Sequence, residues 1–257
     1  MFYQVFQYIK FLFKSSNQHG VHSPFVFDLV SKCFYDKTNY ESYHAILEYR
    51  KSLLNNNSEL SIEDLGAGSQ VMSQQKRLVS NIAKNAGTTT KRAKLLFRLT
   101  NYFKPKNVLE LGTSLGIATH AISLGNIEAN ITSVEGCKET SAFSKTQLIK
   151  FRVENVSLIK GNFNNEIEKL SSNSYDLIFF DGNHQKEATL KYFETLLKTA
   201  TNESVFIFDD IYWSKGMTEA WNIIKAHPKV TVTIDTFFWG FVFFRSEQVK
   251  EHFTIRV

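Results

Sequence analysis

The chain has 257 residues and a mass of 29.6 kDa, which allows one α/β domain with an extension but argues against two independent catalytic domains. Apolar residues make up 43% of the sequence and charged residues 21%, a composition that excludes a disordered chain. The net charge of +5 is uneven, because residues 1–107 contain 15 Lys and Arg against 7 Asp and Glu. This basic part is compatible with an anionic substrate, a nucleic acid or a membrane surface, and equally with a solvated face that has no partner.

The first fourteen residues, MFYQVFQYIKFLFK, are rich in aromatic side chains. Polar residues at positions 4, 7 and 10 interrupt the apolar run, and no small-residue cleavage site follows it. The segment is therefore neither a typical signal peptide nor long enough to span a bilayer. We expect an amphipathic helix that packs on the body of the protein, with an interfacial membrane helix as the second interpretation.

Up to about residue 100 the sequence is typical of helices separated by polar breaks, such as SSNQHG at 15–20 and NNNSE at 55–59. We expect residues 1–100 to form a helical cap that covers the substrate. Residues 101–257 are then the cofactor-binding domain. This division follows from the change of pattern after KPKN, at 104–107.

Inside the cap, the segment EDLGAGS at 63–69 could be taken for a cofactor loop, because an acidic residue leads into glycines. The polar NNNSELSI before it is not a typical strand, and no second strand with a terminal acid follows at the right distance. We therefore interpret Gly66 and Gly68 as a flexible turn, after which Ser69 can cap a helix. A lid over the acceptor substrate is a further hypothesis for this turn.

Beyond residue 104, short apolar runs alternate with helical stretches, the pattern of βαβ units. Strands are predicted near 107–111, 131–135, 156–160, 175–181 and 204–209. Two more runs begin at Val230 and Trp239, and too few residues separate them for a crossover helix, so they must pair as an antiparallel hairpin. The predicted fold is α/β, with a doubly wound, seven-stranded, mostly parallel Rossmann-like sheet, the C-terminal hairpin and the N-terminal helical cap.

The segment NVLELGTSLGIATHAIS, from residue 107, indicates a strand, a glycine turn and a helix. Gly112 and Gly116 let the backbone approach a ligand, and the helix N-terminus supplies free N–H groups. The dinucleotide fingerprint G-x-G-x-x-G is not met, because Ser114 stands at its middle glycine. The next predicted strand ends at Glu135, where a carboxylate is placed to accept hydrogen bonds from both ribose hydroxyls of an adenosine.

With these elements and the terminal hairpin, residues 104–245 resemble the class I S-adenosylmethionine-dependent methyltransferases. LELGTSLG corresponds to the first motif of that family and VEG to the second. The resemblance implies S-adenosylmethionine as cofactor, with its methionine part in the glycine turn, its ribose on the second-strand carboxylate and its adenine beside the residues that follow strand 156–160. The implied cofactor-binding residues are Glu110, Gly112, Thr113, Ser114, Gly116, Glu135, Gly161, Asn162, Phe163 and Asp181.

Carboxylates follow the next two predicted strands, with Asp181 after YDLIFF and the pair Asp209 and Asp210 after VFIF. The carboxyl ends of adjacent parallel strands face one crevice, and three oxygen donors there suit Mg²⁺ or another divalent cation. The arrangement resembles the catechol and caffeoyl-CoA type O-methyltransferases, in which these positions hold a metal, although that family has Asn where this chain has Asp210. The alternative is that these aspartates are helix caps or loop residues.

His184 stands where those enzymes have a lysine that removes the hydroxyl proton. Histidine has a pKa near neutrality, so His184 is the implied base, with Asp181 as the second catalytic residue. The alternative is a histidine that only caps the following helix.

Two kinds of nucleic-acid methylation lose support. FDGNH lacks the prolines of the turn common in base amino-group methylation, and neither Cys33 nor Cys137 stands where C5 methylation of pyrimidines needs a nucleophile. The predicted function is S-adenosylmethionine-dependent O-methylation of a small-molecule hydroxyl, with or without a divalent metal. The alternatives are metal-independent methyl transfer to another small molecule or RNA and, from another class, a non-catalytic nucleotide-binding protein or an NAD-dependent oxidoreductase.

The expected partner is a small-molecule acceptor rather than a nucleic acid. A homodimer and peripheral membrane contact through the first helix stay open. The two cysteines show neither metal nor redox spacing, which fits the reducing conditions of the cytoplasm, the expected location.

Overall fold

The computed structural model describes residues 2–63 and 76–257. The α-helices in these ranges are α1 Phe2–Lys14, α2 Pro24–Leu29, α3 Ser42–Leu54, α4 Val79–Asn85, α5 Thr90–Phe103, α6 Ile117–Gly125, α7 Lys138–Lys150, α8 Phe163–Leu170, α9 Lys186–Leu196 and α10 Lys215–Ala226. The strands are β1 Glu59–Ser61, β2 Lys76–Leu78, β3 Asn107–Leu111, β4 Asn130–Glu135, β5 Val156–Lys160, β6 Leu177–Phe180, β7 Val205–Asp209, β8 Val232–Asp235, β9 Trp239–Phe243 and β10 Glu251–Thr254.

The chain forms two compact units. The first combines the N-terminal residues up to Tyr35 with Ile167–Val257, and the second is Asp36–Glu166. The predicted division at residue 100, into a cap and a cofactor-binding domain, concerns function and stays a prediction. The turn predicted at Gly66 and Gly68, with its lid hypothesis, lies outside the described residues.

In the second unit, β3, β4 and β5 form a parallel array in which β4 is central. A helix follows each strand, as βαβ units require. Four of the five residues of β3 are buried, the near-continuous apolar pattern of a parallel strand that is covered on both faces. The three strands predicted for this part of the chain are confirmed, with ends that agree within one residue.

The N-terminal region is not entirely helical, because β1 and β2 pair there as a short antiparallel ladder. β1 lies against the start of α7, where the Ser61 N–H donates to the Glu139 carboxylate at 2.5 Å. The Cys137 thiol donates to the Ser61 carbonyl at 3.5 Å. Sequence periodicity misses this strand because Leu60 is its single apolar residue.

In the first unit the strand order is β10-β8-β9-β7-β6. β6 and β7 are parallel, while β9 is antiparallel to both β7 and β8, so the predicted C-terminal hairpin is confirmed. The prediction of seven strands is wrong by one, because β10 adds a parallel edge strand beside β8. Its sequence EHFT contains one apolar residue, Phe253, and therefore shows no strand pattern.

The first helix packs on the first unit, as expected. Phe11 is buried, and the rings of Tyr8 and Phe11 lie against Phe237 with centroid distances of 4.8 and 5.6 Å. The Tyr3 hydroxyl donates to Thr218 Oγ1 at 2.8 Å. In the part of the chain that the structure describes, no helix combines the length and apolar content needed to cross a bilayer.

The tightest glycine of the first unit lies in β9. A Cβ on Gly240 would lie 2.7 Å from two ring atoms of the buried Trp221. We expect Gly240→Ala to lower the free energy of unfolding by about 1–3 kcal/mol, because the ring and the strand must move apart. Urea denaturation measures the change.

Gly216→Ala in α10 is the matched control, since its Cβ would meet nothing closer than 3.4 Å. The better helix propensity of alanine should leave this variant as stable as the parent or up to about 1 kcal/mol more stable. Equal stability of both variants would contradict rigid packing of Trp221 on β9.

Candidate functional site

Glu135, the last residue of β4, joins three loops of the second unit. Its carboxylate accepts the N–H of Ser114 at 2.8 Å and that of Cys137 at 2.9 Å. Its carbonyl accepts the N–H of Gly161 at 3.0 Å. Burial raises the pKa of Glu135, although the backbone donors act in the opposite direction. The loops after β3, β4 and β5 therefore meet at one residue, and its carboxylate oxygens keep lone pairs for further donors.

The predicted glycine turn connects β3 to α6. Gly112, Ser114 and Gly116 have φ angles of +109°, +48° and +78°. Glycine adopts such angles at little cost, whereas serine does so rarely. Ser114 is held in this conformation by its N–H bond to Glu135. The backbone N–H groups of Gly112 and Thr113 both donate to the Val134 carbonyl, which fixes the start of the turn.

Tyr49 in α3 supports the turn from behind, and the sequence analysis missed it. Its side chain is fully buried, and its hydroxyl donates to the Leu115 carbonyl at 2.9 Å. A Cβ on Gly116 would lie 2.6 Å from that hydroxyl oxygen. Packing of α3 therefore requires glycine at this position, independently of any ligand. No local pattern relates a tyrosine in an ordinary helix to a turn 66 residues later.

Glu110 lies beneath the turn and is completely buried. Its Oε2 accepts hydroxyl hydrogens from Thr119 at 2.6 Å and from Ser133 at 2.5 Å. Ser133 Oγ also lies 2.5 Å from Thr113 Oγ1. The side chains predicted to bind the cofactor at positions 110 and 113 thus form an internal network. Glu110 Oε1 is buried and finds no hydrogen-bond partner among residues 2–63 and 76–257.

The residues predicted to flank adenine connect β5 to α8. Gly161 follows the strand directly, and a Cβ there would lie 2.6 Å from Glu166 Cγ. Asn162 is exposed, and its Oδ1 accepts the N–H of Asn164 at 2.9 Å. Phe163 is the first residue of α8 and is half-buried. This loop is tied to β4 through the bond between Gly161 and Glu135.

Three predicted site residues form a cluster in the first unit. Asp181 follows β6, Asp209 ends the neighbouring β7, and His184 lies in the loop before α9. Each offers one ligand atom, and these atoms lie within 4.8 Å of one another. Burial lowers the pKa of His184, while the charge of Asp209 acts in the opposite direction. The neutral imidazole is the form that accepts a proton or binds a metal.

Trp239 orients one carboxylate of this cluster, a role that the sequence analysis missed. Asp209 and Trp239 are register partners on β7 and β9. The indole Nε1–H donates to Asp209 Oδ1 at 2.6 Å, and both side chains are buried. Asp210 is not a member of the cluster that the described residues form. Its φ angle is +52°, and its carbonyl accepts the N–H of Trp213, so it begins a tight turn after β7.

Residues 109–211 match the model of a family described as a methyltransferase domain. The search of curated proteins gave no match. An SAH-bound methyltransferase of Podospora anserina superposes with a TM-score of 0.61 at 16% identity, over 88% of this chain and 97% of that chain.

Two solved O-methyltransferases superpose on this chain with similar TM-scores. The enzyme of Bacillus cereus in complex with SAH has a TM-score of 0.54 at 16% identity and covers 82% of this chain and 93% of that chain. TomG of Streptomyces achromogenes, involved in tomaymycin synthesis and solved with SAM, has a TM-score of 0.57 at 14% identity, over 81% and 92%. The chain therefore has the predicted Rossmann-like fold, and its match to the methyltransferase domain is confined to residues 109–211.

The buried carboxyl of Glu110 makes a testable difference to stability. Burial raises its pKa from 4.5 to about 7, so between these values the folded state keeps a proton that the unfolded state releases. Stability should therefore fall as the pH rises through this range, by up to about 3 kcal/mol. Glutamine does not titrate, so the Glu110→Gln variant should not lose stability in this way. The free energy of unfolding of Glu110→Gln minus that of the parent protein should therefore increase from pH 5 to pH 8.

Urea denaturation of the ligand-free proteins at several pH values measures this difference. Glu128→Gln is the control, because it removes the same charge from an exposed position in the same unit. The difference in free energy of unfolding between this variant and the parent should not change with pH. If the difference in free energy of unfolding between Glu110→Gln and the parent does not vary with pH, the pKa of Glu110 is not raised by burial.

Proposed function

We propose that the protein transfers a methyl group from S-adenosylmethionine to a hydroxyl oxygen of a small molecule. The observation that carries this proposal is the junction at Glu135, where the loops after β3, β4 and β5 meet. These loops lie at the carboxyl ends of parallel strands, where open α/β sheets bind nucleotides. The methyltransferase match and the SAM or SAH in the solved relatives support the same cofactor here.

The residues of the second unit fit this cofactor. Glu135 has lone pairs for two ribose hydroxyls beyond those used by backbone donors. The turn from Gly112 to Gly116 has the positive φ angles of a tight loop, and Gly112 has no side chain to keep a methionine moiety from the backbone. Glu110 Oε1 is a buried acceptor without a partner among the described residues, and an ammonium group is a suitable donor for it. When bound, S-adenosylmethionine supplies an electrophilic methyl group on a sulfonium.

The protein must orient the acceptor and remove its proton. His184 is suited to the second task, because its lowered pKa keeps the imidazole neutral near pH 7. Trp239 holds the Asp209 carboxylate in one orientation next to it. Fixing the hydroxyl oxygen in line with the methyl group then supplies much of the rate enhancement. The additional cofactor contact predicted for Asp181 stays a prediction.

In a metal-assisted version, we propose Asp181, His184 and Asp209 as the ligands, with His184 in place of the sequence-predicted Asp210. Two carboxylates and one imidazole suit Mn²⁺, Fe²⁺ or Zn²⁺ as well as Mg²⁺. A bound cation would lower the pKa of the acceptor hydroxyl. His184 would then act as a ligand, and solvent would take the proton. The choice between the two versions depends on the metal requirement.

Cofactor binding tests the role of Glu135. Calorimetric titration of the parent protein with SAH should show binding, and Glu135→Gln should weaken it about 10- to 100-fold, because hydrogen bonds between the ribose and a charged acceptor are lost. Glu154→Gln, an exposed change in the same unit, should bind as the parent does. Binding of NAD instead of SAH would support an oxidoreductase and overturn the proposal.

Metal dependence tests the cluster. Changing a residue that only supports a metal ligand typically lowers metal affinity about 10- to 100-fold. Because Asp181 and Asp209 are proposed as ligands themselves, Asp181→Asn and Asp209→Asn should each lower the affinity for Mn²⁺ by more than that. Asp28→Asn, an exposed substitution in the same unit, should bind Mn²⁺ as the parent does. Methyl transfer from labelled S-adenosylmethionine, screened over phenolic, catechol and RNA acceptors, should stop in EDTA. Transfer that survives both EDTA and the two substitutions would establish the metal-independent alternative.

A further inference from the structure

Helix α1 carries an apolar face that is turned away from the protein. The exposed side chains on this face are Phe2, Val5, Phe6, Ile9 and Phe13, with exposed fractions between 47% and 90%. They follow the spacing i, i+3, i+4, i+7 and i+11, which places them within an arc of about 100° on a helix of 3.6 residues per turn. They therefore form one continuous stripe, which we call the outer stripe.

The opposite side of α1 is the side that attaches to the first unit, and it is the more polar one. Tyr3 donates to Thr218, and the Gln4 side-chain amide donates to the Trp213 carbonyl at 3.4 Å. Phe11 is the buried apolar residue of α1. A helix on the surface of a soluble protein normally buries its apolar face and exposes its polar face. Since α1 does the reverse, its outer stripe calls for an apolar partner.

Charge indicates which partner this is. α1 contains Lys10 and Lys14 and no acidic residue. Lys10 lies beside one border of the outer stripe, and its Nζ lies 4.3 Å from the centre of the Phe6 ring. Lys14 follows one turn later on the same side of the helix, farther from the stripe, and is exposed. An interfacial helix that binds anionic lipid has the same two features, aromatic and aliphatic side chains on one face and basic residues beside it. Each such lysine contributes about 1 kcal/mol near an anionic surface.

A second copy of the chain fits the stripe less well. A two-fold contact between two α1 helices would place the lysines of both copies at the same small interface. α1 offers no carboxylate to pair with them. A lipid surface supplies both the apolar layer and the negative charge.

We propose that α1 binds the surface of an anionic membrane through the outer stripe, with its axis in the membrane plane. Thirteen residues span about 20 Å at 1.5 Å per residue, too short to cross a bilayer but suited to its interface. Arg256 donates to the Leu12 carbonyl and the Ser15 hydroxyl near the end of α1. These bonds attach the helix to the body without using any side chain of the outer stripe, so the stripe stays available. Binding therefore brings the first unit to the membrane without unfolding.

Sedimentation of the full chain with lipid vesicles tests this proposal. The protein should bind vesicles of phosphatidylcholine that contain about 30% phosphatidylserine, bind pure phosphatidylcholine more weakly, and dissociate as salt is raised. Phe6→Ser with Ile9→Ser should weaken binding about tenfold or more, because two apolar side chains no longer enter the lipid. Lys10→Gln and Lys14→Gln should each weaken binding to anionic vesicles about fivefold.

Ile127→Ser with Ile149→Ser is the matched control, since both side chains are exposed on the second unit. It should bind vesicles as the parent does, and circular dichroism melting should show that all variants are folded. Failure of the parent to bind anionic vesicles, or equal binding by Phe6→Ser with Ile9→Ser, would overturn the proposal. Light scattering that reports a dimer dissociated by those two substitutions would also overturn it and would identify the stripe as an interface between copies. The assay needs neither cofactor nor acceptor, so its outcome is independent of the proposed methyl transfer.

Discussion

The hydrogen bonds of Glu135 are the interaction on which the candidate cofactor site depends. Its carboxylate accepts the N–H of Ser114, which has a left-handed conformation, and the N–H of Cys137. Its backbone carbonyl accepts the N–H of Gly161. Three loops that are separate in the sequence thus share one anchor. Burial of this charge is unfavourable by itself, and the backbone donors offset only part of the cost, since the pKa of Glu135 is still raised. The same group can therefore organise the site before a ligand arrives and bind the ligand afterwards.

In the first unit, too, a carboxylate is fixed by a hydrogen-bond donor, here a side-chain N–H and not a backbone N–H. Asp209 stands at the end of β7, and the antiparallel hairpin brings Trp239 opposite to it. The indole N–H then fixes one oxygen of a carboxylate that belongs to the cluster. The C-terminal hairpin therefore supports the candidate site as well as the fold. A functional carboxylate held by a buried donor loses little freedom when it binds, which is the advantage of a preorganised site.

Sequence reasoning located the strands of the sheet, because their apolar runs are continuous and bounded by polar residues. The acids expected at the ends of two of these strands, Asp181 and Asp209, do lie in one cluster. Their role as metal ligands, and that of Glu135 as the ribose acceptor, stay predictions. Sequence reasoning failed for Tyr49 and Trp239, because these side chains reach the site through contacts between segments that are distant in the sequence. Short polar strands were missed for another reason. β1 and β10 each contain one apolar residue, so their pairing and not their periodicity defines them.

Helix α1 shows how far an amphipathic pattern can be interpreted. The sequence shows that one face is more apolar than the other, and the usual rule assigns that face to the core. The structure assigns it to the outside, because Tyr3 and Gln4 form hydrogen bonds with the body and Phe11 packs against the ring of Phe237. Docking and lipid binding therefore use opposite sides of one helix. Since the two do not compete, membrane contact need not disturb the cluster of Asp181, His184 and Asp209 in the same unit.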